Sequence, residues 1–281
     1  MSAAAARARA IPLTDADDPR LAPYRAIRER DLRRDGDRFV AEGKVVVAML
    51  AGAPGFAAES LLVLESRLPG MAAVIARLDP AVPVYVAGRA IVDAVAGFPV
   101  HRGVLAIGRR PQPRTADALL AGLPRRALVL TLVGIANHDN VGGLFRNAAA
   151  FGADAVLLDE TCCDPLYRKA LRVSVGAVLR VPFAHGGSAD ALAATLAAHG
   201  FSALALSPRG RQEIAAVARP ERAALLLGTE GAGLPEALLA RLDTARIAMA
   251  PGFDSLNVAA AAAIALHRLS DVSSAVAVSS V

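Results

Sequence analysis

The chain has 281 residues and a net charge of +5, and 54% of its residues are hydrophobic while only 4% are aromatic. A chain of this length and apolar content buries a core and divides into about two domains, which excludes an intrinsically disordered protein. The two cysteines are adjacent, Cys162 and Cys163, which excludes a disulfide scaffold and a cysteine-based zinc cluster.

The sequence predicts a soluble protein, because no stretch of about 20 apolar residues runs without a charge or a proline. Residues 1–19 lack the apolar core of a secretory signal, and we expect them to form a flexible terminus of a cytoplasmic protein. Since this terminus is rich in Arg and Ala, a transit peptide stays open as the alternative.

The first half of the chain alternates apolar runs with helical patterns, so residues 20–108 are predicted to form a small α/β domain. The charged segment 23–39 is interpreted as a solvated amphipathic helix. The predicted helices cover 42–51, 70–78 and 88–96, and the predicted strands cover 61–65, 82–86 and 104–107.

A segment with three prolines and five arginines, residues 109–126, is interpreted as a linker, with the domain boundary near residue 115. After it, strands and helices alternate over residues 127–270, ahead of a frayed tail at 271–281. The predicted strands cover 127–135, 154–160, 178–184, 202–207, 223–228 and 246–250, and the predicted helices cover 142–151, 189–199 and 255–269. Continuous apolar strands in such an alternation predict a mostly parallel sheet with helices on both faces.

Three glycine-bearing loops follow predicted strands, at 137–147, 228–235 and 250–258. Ligands of parallel sheets bind at the carboxyl ends of strands, and glycine lets backbone approach a ligand closely. These loops are therefore the candidate site. From spacing alone, Asn140 could instead cap a helix, with Arg146 as an ordinary surface residue. Glu230 could likewise be a solvated side chain in a turn.

The third loop contains two further polar candidates. Ser255 is a credible N-cap, which would place Asn257 in the first turn of the following helix. Because an unpaired amide is costly to bury beside apolar residues, Asn257 should have a partner. A nucleotide-dependent enzyme on a Rossmann sheet requires a glycine turn after the first strand, and the segment 135–140 offers none.

Four motifs in order resemble the SpoU (TrmH) family of RNA ribose 2′-O-methyltransferases, of the SPOUT class. The matching positions of the first and fourth motifs are Asn140, Gly142, Arg146, Phe151 and Gly152, then Ile247, Met249, Gly252 and residues 255–258. The second motif along the chain matches at Arg172, Ser174, Gly176 and Ala177. The third matches at Gly228, Glu230, Gly233 and Leu234. Residues 39–50, with Glu42, Gly43 and Lys44, resemble the opening of the family's RNA substrate-binding domain.

The resemblance implies S-adenosylmethionine as methyl donor, a trefoil-knotted methyltransferase domain, a homodimer formed through that domain, and no metal. The implied donor-binding positions are Leu206, Ser207, Gly228, Ile247, Met249 and Leu256. The implied catalytic positions are Arg146, Asn140, Glu230, Ser255 and Asn257, and the implied RNA-binding positions are Lys44, Arg172 and Ser174. Arg146 is the family's catalytic arginine. Because a guanidinium stays protonated in proteins, we interpret its role as electrostatic rather than as a base.

The sequence departs from the family pattern at three points. Ala248 replaces a usual proline, His138 and Asp139 replace a common Pro-Gly, and Cys162 with Cys163 occupies a variable loop, where we expect a structural role. The expected substrate is structured RNA, with rRNA favoured over tRNA. A non-catalytic RNA-binding relative of the same fold is the alternative.

Overall fold

A computed structural model describes residues 3–25, 37–97, 100–253 and 255–271. By contact density it forms two compact units. Unit 1 comprises residues 1–112 and 166–180, and unit 2 comprises residues 113–165 and 181–281. The first division falls close to residue 115, but the return of 166–180 to unit 1 was not predicted. None of the helices within the described ranges is long and apolar enough to cross a bilayer.

Unit 1 is built on a mixed five-stranded sheet in the order β1-β4-β3-β5-β2. Its strands are β1 Ala10–Leu13, β2 Arg38–Glu42, β3 Ala57–Leu64, β4 Val84–Ala87 and β5 Val104–Arg109. Its helices are α1 Ala3–Ala8, α2 Lys44–Leu50, α3 Ala72–Ile75, α4 Arg89–Ala96 and α7 Arg168–Val173. Short 3-10 helices cover Pro19–Tyr24, Glu65–Met71 and Ala177–Leu179.

The expectation of a flexible N-terminus over 1–19 is wrong for the described part of that segment. Strand β1 pairs in parallel with β4, and its Pro12 is tolerated because β1 lies at the edge of the sheet. The Arg9 guanidinium donates to the carbonyls of Ile75, Asp79 and Val82 at 2.8, 2.8 and 3.1 Å. These bonds fix the terminus to the end of α3.

Two further boundaries in unit 1 differ from the sequence prediction. The helix expected over 70–78 is a 3-10 helix followed by the single turn α3, because Pro69 and Gly70 interrupt a regular helix. The amphipathic helix expected over 23–39 falls mostly on residues 26–36, which lie outside the described residues, and β2 already begins at Arg38.

Unit 2 is built on a seven-stranded sheet in the order β10-β12-β9-β11-β6-β7-β8, in which every neighbouring pair is parallel. The strands are β6 Ala127–Leu132, β7 Ala155–Leu158, β8 Phe183–His185, β9 Ser202–Leu206, β10 Gln212–Glu213, β11 Arg222–Leu227 and β12 Asp243–Arg246. The helices are α5 Ala116–Ala121, α6 His138–Ala150, α8 Ala189–Ala198, α9 Glu236–Leu239 and α10 Val258–Leu269, with a 3-10 helix at Ile214–Ala216. The predicted parallel α/β architecture is confirmed.

Three corrections apply to unit 2. The proposed linker contains α5, whose Leu119 and Leu120 belong to the buried core. The strand expected over 178–184 is limited to β8, since residues 177–179 form a 3-10 helix. The strand expected over 246–250 instead ends at Arg246, so residues 247–250 leave the sheet as a loop. Most of the predicted tail, residues 272–281, lies outside the described residues.

Candidate active site

The carboxyl ends of three adjacent strands, β9, β11 and β12, border a cavity of about 390 Å³. All six positions expected to bind a methyl donor line it: Leu206, Ser207, Gly228, Ile247, Met249 and Leu256. Glu230 and Ser255 line it as well. Since Ile247 and Met249 follow the end of β12, their backbone is free of the sheet ladder and can face a ligand.

The wall of the cavity after β11 depends on Gly228. A methyl group at this position would overlap the backbone of Gly233 and Leu234, so no larger residue fits without movement. The loop closes on itself here, because the Gly233 amide donates to the Thr229 carbonyl at 3.0 Å. This tight return presents the side chain of Glu230 to the cavity.

A hydrogen-bonded cluster of three side chains joins the three predicted loops. The Asn140 amide donates to Glu230 Oε1 at 2.7 Å, and the Asn257 amide donates to the same oxygen at 3.1 Å and to Asn140 Oδ1 at 2.9 Å. Asn140 is buried, and both oxygen and nitrogen of its side chain are satisfied. Asn257 therefore has the partners that its sequence context required, and Glu230 is bonded to side-chain amides.

The N-caps of α6 and α10 determine which side-chain amides can join this cluster. Asn137, and not Asn140, is the N-cap of α6, since its Oδ1 accepts from the Asp139 amide at 2.8 Å. Asn257 is the N-cap of α10 and accepts from the Ala259 amide at 2.9 Å, so the expectation that Ser255 caps this helix is wrong. Asn257 thus uses its oxygen for the cap and its nitrogen for the cluster.

Arg146 lies on a different face of α6 from Asn140. Six residues of helix turn through about 240°, so the two side chains diverge. Arg146 is exposed, it does not line the cavity, and no partner for it is present among the described residues. The neighbouring Asn147 donates to the Ala259 carbonyl at 2.6 Å and so ties α6 to the first turn of α10.

Comparison with known proteins identifies the family. The model of the SpoU rRNA Methylase family matches residues 127–267, half of the chain. This protein belongs to the SpoU rRNA methylase family. It is 41% identical over 265 residues to an uncharacterized tRNA/rRNA methyltransferase of Mycobacterium bovis, covering 90% of this chain and 89% of the relative. It is 25% identical to the 23S rRNA (guanosine(2553)-2′-O)-methyltransferase RlmP of Bacillus subtilis, covering 92% and 98%.

Solved structures show the same fold. An AdoMet-bound rRNA methyltransferase from Sinorhizobium meliloti superposes with a TM-score of 0.76 at 24% identity, over 93% of this chain and 97% of that one. A structure described as an RNA 2′-O ribose methyltransferase gives a TM-score of 0.73 at 25% identity, over 92% and 98%. SpoU methyltransferases use S-adenosylmethionine, and this chain is an RNA methyltransferase of that family.

The positions that the SpoU resemblance assigned to RNA binding differ in accessibility. Lys44 is exposed at the start of α2. Arg172 is partly exposed and lies 4.0 Å from the buried Glu42 carboxylate, which also pairs with Arg168 at 3.0 Å. Ser174 is buried and its hydroxyl donates to the Leu171 carbonyl at 3.0 Å, so the prediction that Ser174 contacts RNA is wrong.

The adjacent cysteines lie in the loop that follows β7. Cys162 Sγ accepts from the Ile135 amide at 3.2 Å, and burial raises the pKa of this thiol to about 12. Burial, with the nearby Asp164 carboxylate, raises the pKa of Cys163 to about 11. Both thiols are therefore protonated at neutral pH and poor nucleophiles, as a structural role requires. Within the described ranges, no cluster of His, Cys, Asp and Glu is arranged to hold a metal.

Sequence reasoning assigned no individual role to several residues of the site, although Thr229 and Val258 lie in the predicted loops. Pro208, Thr229, Val258 and Ala261 also line the cavity. The three-residue spacing of Val258 and Ala261 places them on one face of α10, and this periodicity could have identified them. Asn147 gave no signal apart from its position next to Arg146.

Proposed function

We propose that this protein transfers a methyl group from S-adenosylmethionine to a ribose 2′-hydroxyl of structured RNA, with rRNA favoured over tRNA. The observation that carries the proposal is the cavity at the ends of β9, β11 and β12, with the Asn140–Glu230–Asn257 cluster beside it. The 2′-O specificity named for RlmP and for the solved RNA 2′-O ribose methyltransferase that is 25% identical supports the choice of acceptor.

The residues of the cavity suit the donor. Leu206, Ile247 and Leu256 offer apolar surface for an adenine ring, while the glycine loop after β11 offers backbone groups for its polar edges. A volume of about 390 Å³ lies within the usual range of small-molecule sites, about 300–1,000 Å³. When bound, the donor supplies a methyl group activated by a positive sulfur.

The remaining requirement is a correctly oriented hydroxyl that loses its proton. Proximity and orientation contribute most to such a reaction. We assign Asn140, Glu230 and Asn257 to holding the loops, with Ser255 at the cavity wall beside the ribose. We assign the Arg146 guanidinium, which lies outside the cavity and has no partner among the described residues, to a phosphate next to the acceptor, where its charge also favours the developing alkoxide. The proton leaves to that phosphate or to water.

Three further features belong to the same proposal. The chain forms the trefoil knot that the SpoU resemblance implies, within unit 2. Two copies associate through unit 2, as the SpoU resemblance implies. The enzyme acts in the cytoplasm, and cations such as the exposed Lys44 and the partly exposed Arg172 contribute phosphate contacts.

Donor binding and methyl transfer together test the proposed function. Isothermal titration calorimetry with S-adenosylhomocysteine should show one site per chain, and a labelled donor should methylate total RNA from a strain that lacks the gene. Mass spectrometry of nucleosides should then identify the product as a 2′-O-methylnucleoside. Methylation of a base would overturn the 2′-O assignment. RNA binding without donor uptake would instead establish the non-catalytic alternative.

A further inference from the structure

Phe253 is the most exposed large apolar side chain among the described residues, with 77% of its surface accessible. Its backbone ends a tight turn, since its amide donates to the Ala250 carbonyl at 3.2 Å. Pro251 and Gly252 occupy the central positions, and the φ of +85° at Gly252 is the conformation that a type II turn requires at its third residue. The ring is therefore presented by a stiff element of backbone.

This turn belongs to the loop that closes the donor cavity. Met249 precedes it, Ser255 and Leu256 follow it, and all three line the cavity. Two residues of chain span at most about 7 Å, so the backbone of Phe253 lies at the edge of the cavity. Phe253 itself does not line the cavity. Its ring thus lies beside the donor site and outside it.

We propose that Phe253 is a stacking platform for a base of the RNA substrate, at or next to the methylated nucleotide. This inference rests on the proposed function. A ribose whose 2′-hydroxyl reaches the cavity carries its base to the surrounding surface, where an apolar ring is the complementary group. Proteins bind unstacked RNA bases on aromatic side chains, and stacking is tolerant of base identity.

The position of the ring favours RNA over a second copy of this chain as its occupant. The acceptor ribose must reach the cavity past its edge, which is where the ring lies. The chain is poor in aromatic residues, with eight Phe, three Tyr and no Trp. Few other aromatic side chains could therefore stack on an RNA base in place of Phe253. Phe253 is accordingly a positioning residue that selects an unstacked nucleotide.

Three substitutions separate stacking from simple apolar contact. Phe253→Leu keeps an apolar side chain without a π face, Phe253→Ala removes the side chain, and Phe253→Tyr retains the ring as the conservative control. Stacking of one base contributes about 1–3 kcal/mol, so Phe253→Leu and Phe253→Ala should weaken binding of total RNA in filter assays about 5- to 150-fold. kcat/KM for methylation should fall by a similar factor, and Phe253→Tyr should stay within about twofold of wild type.

Three measurements distinguish this role from others. The Kd for S-adenosylhomocysteine, the thermal midpoint and the sedimentation coefficient should be unchanged in Phe253→Leu. Wild-type RNA binding by Phe253→Leu would overturn the proposal, and so would a change in oligomeric state, which would assign the ring to a subunit interface. If the wild-type protein transfers no methyl group but Phe253→Leu still weakens RNA binding, the proposed function fails while the stacking role stands.

Discussion

The two units are stabilised in different ways. Unit 2 has seven parallel strands side by side, of which β6, β7 and β11 are almost wholly buried, and its candidate site lies where three of the strands end. Unit 1 has a mixed sheet and relies on charged side chains to hold its edges, such as Arg9 on the carbonyls of 75–82 and Glu42 on Arg168. The candidate donor cavity therefore lies in the unit with the more regular sheet.

The largest loss of activity is expected from substitution of Arg146, an exposed arginine of unit 2. Arg146→Ala should lower methyl-transfer turnover by about 100-fold or more, the usual cost of losing a group that stabilises transition-state charge. Donor affinity and the thermal midpoint should be unchanged, because Arg146 has no partner among the described residues and does not line the cavity. Single-turnover assays with labelled donor provide the measurement.

Arg241→Ala is the matched control for this experiment. Arg241 is an exposed arginine of the same unit that pairs with Asp190, and its loss should change turnover less than about twofold. Substantial activity in Arg146→Lys would favour an electrostatic role. Wild-type turnover in Arg146→Ala would remove Arg146 from the mechanism.

Gly228 tests how far the cavity depends on close backbone packing. Gly228→Ala should destabilise unit 2 by about 1–3 kcal/mol, because the added methyl overlaps the backbone of Gly233 and Leu234, which cannot move aside as a flexible side chain would. Gly122→Ala is the control, since a methyl there meets the Leu119 carbonyl oxygen at an ordinary 3.7 Å. Urea unfolding compares the two, and equal midpoints would contradict the close-packing account.

The hydrogen bonds of the Arg9 guanidinium provide the corresponding test in unit 1. Arg9→Ala removes the guanidinium bonds to the carbonyls of 75–82 and should cost about 1–2 kcal/mol, since each bond is partly solvated. Amide hydrogen exchange in β1 should accelerate. The exposed Arg7 is the control, and Arg7→Ala should leave exchange unchanged. Equal exchange in both variants would show that β1 is held by its pairing with β4 alone.

The sequence predicted unit 2 better than unit 1 for a physical reason. Strands buried on both faces, such as β6 and β11, are continuous apolar runs, and their predicted ends differ from the structure by at most three residues. Strand β12 has the sequence DTAR and carries no such signal, whereas the apolar residues 247–250 that follow it resemble a strand and shift the prediction to 246–250. Strand β1 was missed because four residues with an internal proline look like a loop.

The site was predicted in outline because its residues fall in three recognisable loops. The sequence could not decide between candidates of the same type in one loop. Asn137 and Asn140 are both good N-caps, and only the backbone geometry assigns the cap to Asn137. The burial of Ser174 also depends on tertiary packing, since the motif that contains it specifies the hydroxyl and not its direction.

The smallest change in stability is expected from an ion pair just after the end of α10. Asp271 accepts two bonds from Arg126, each at 2.8 Å, and also pairs with Arg219, so the pKa of its carboxyl lies well below the usual value. A carboxyl with a lowered folded-state pKa stabilises the protein above its unfolded pKa of about 3.9, and this contribution is lost as the pH falls towards the folded value. Asp271→Asn should therefore reduce the free energy of unfolding at pH 7 by about 0.5 kcal/mol, because solvent screens a half-exposed group. The difference between the variant and wild type, measured by urea unfolding, should shrink below pH 4 and in high salt. A difference that persisted unchanged at pH 2 would show that Asp271 acts through packing rather than through its charge.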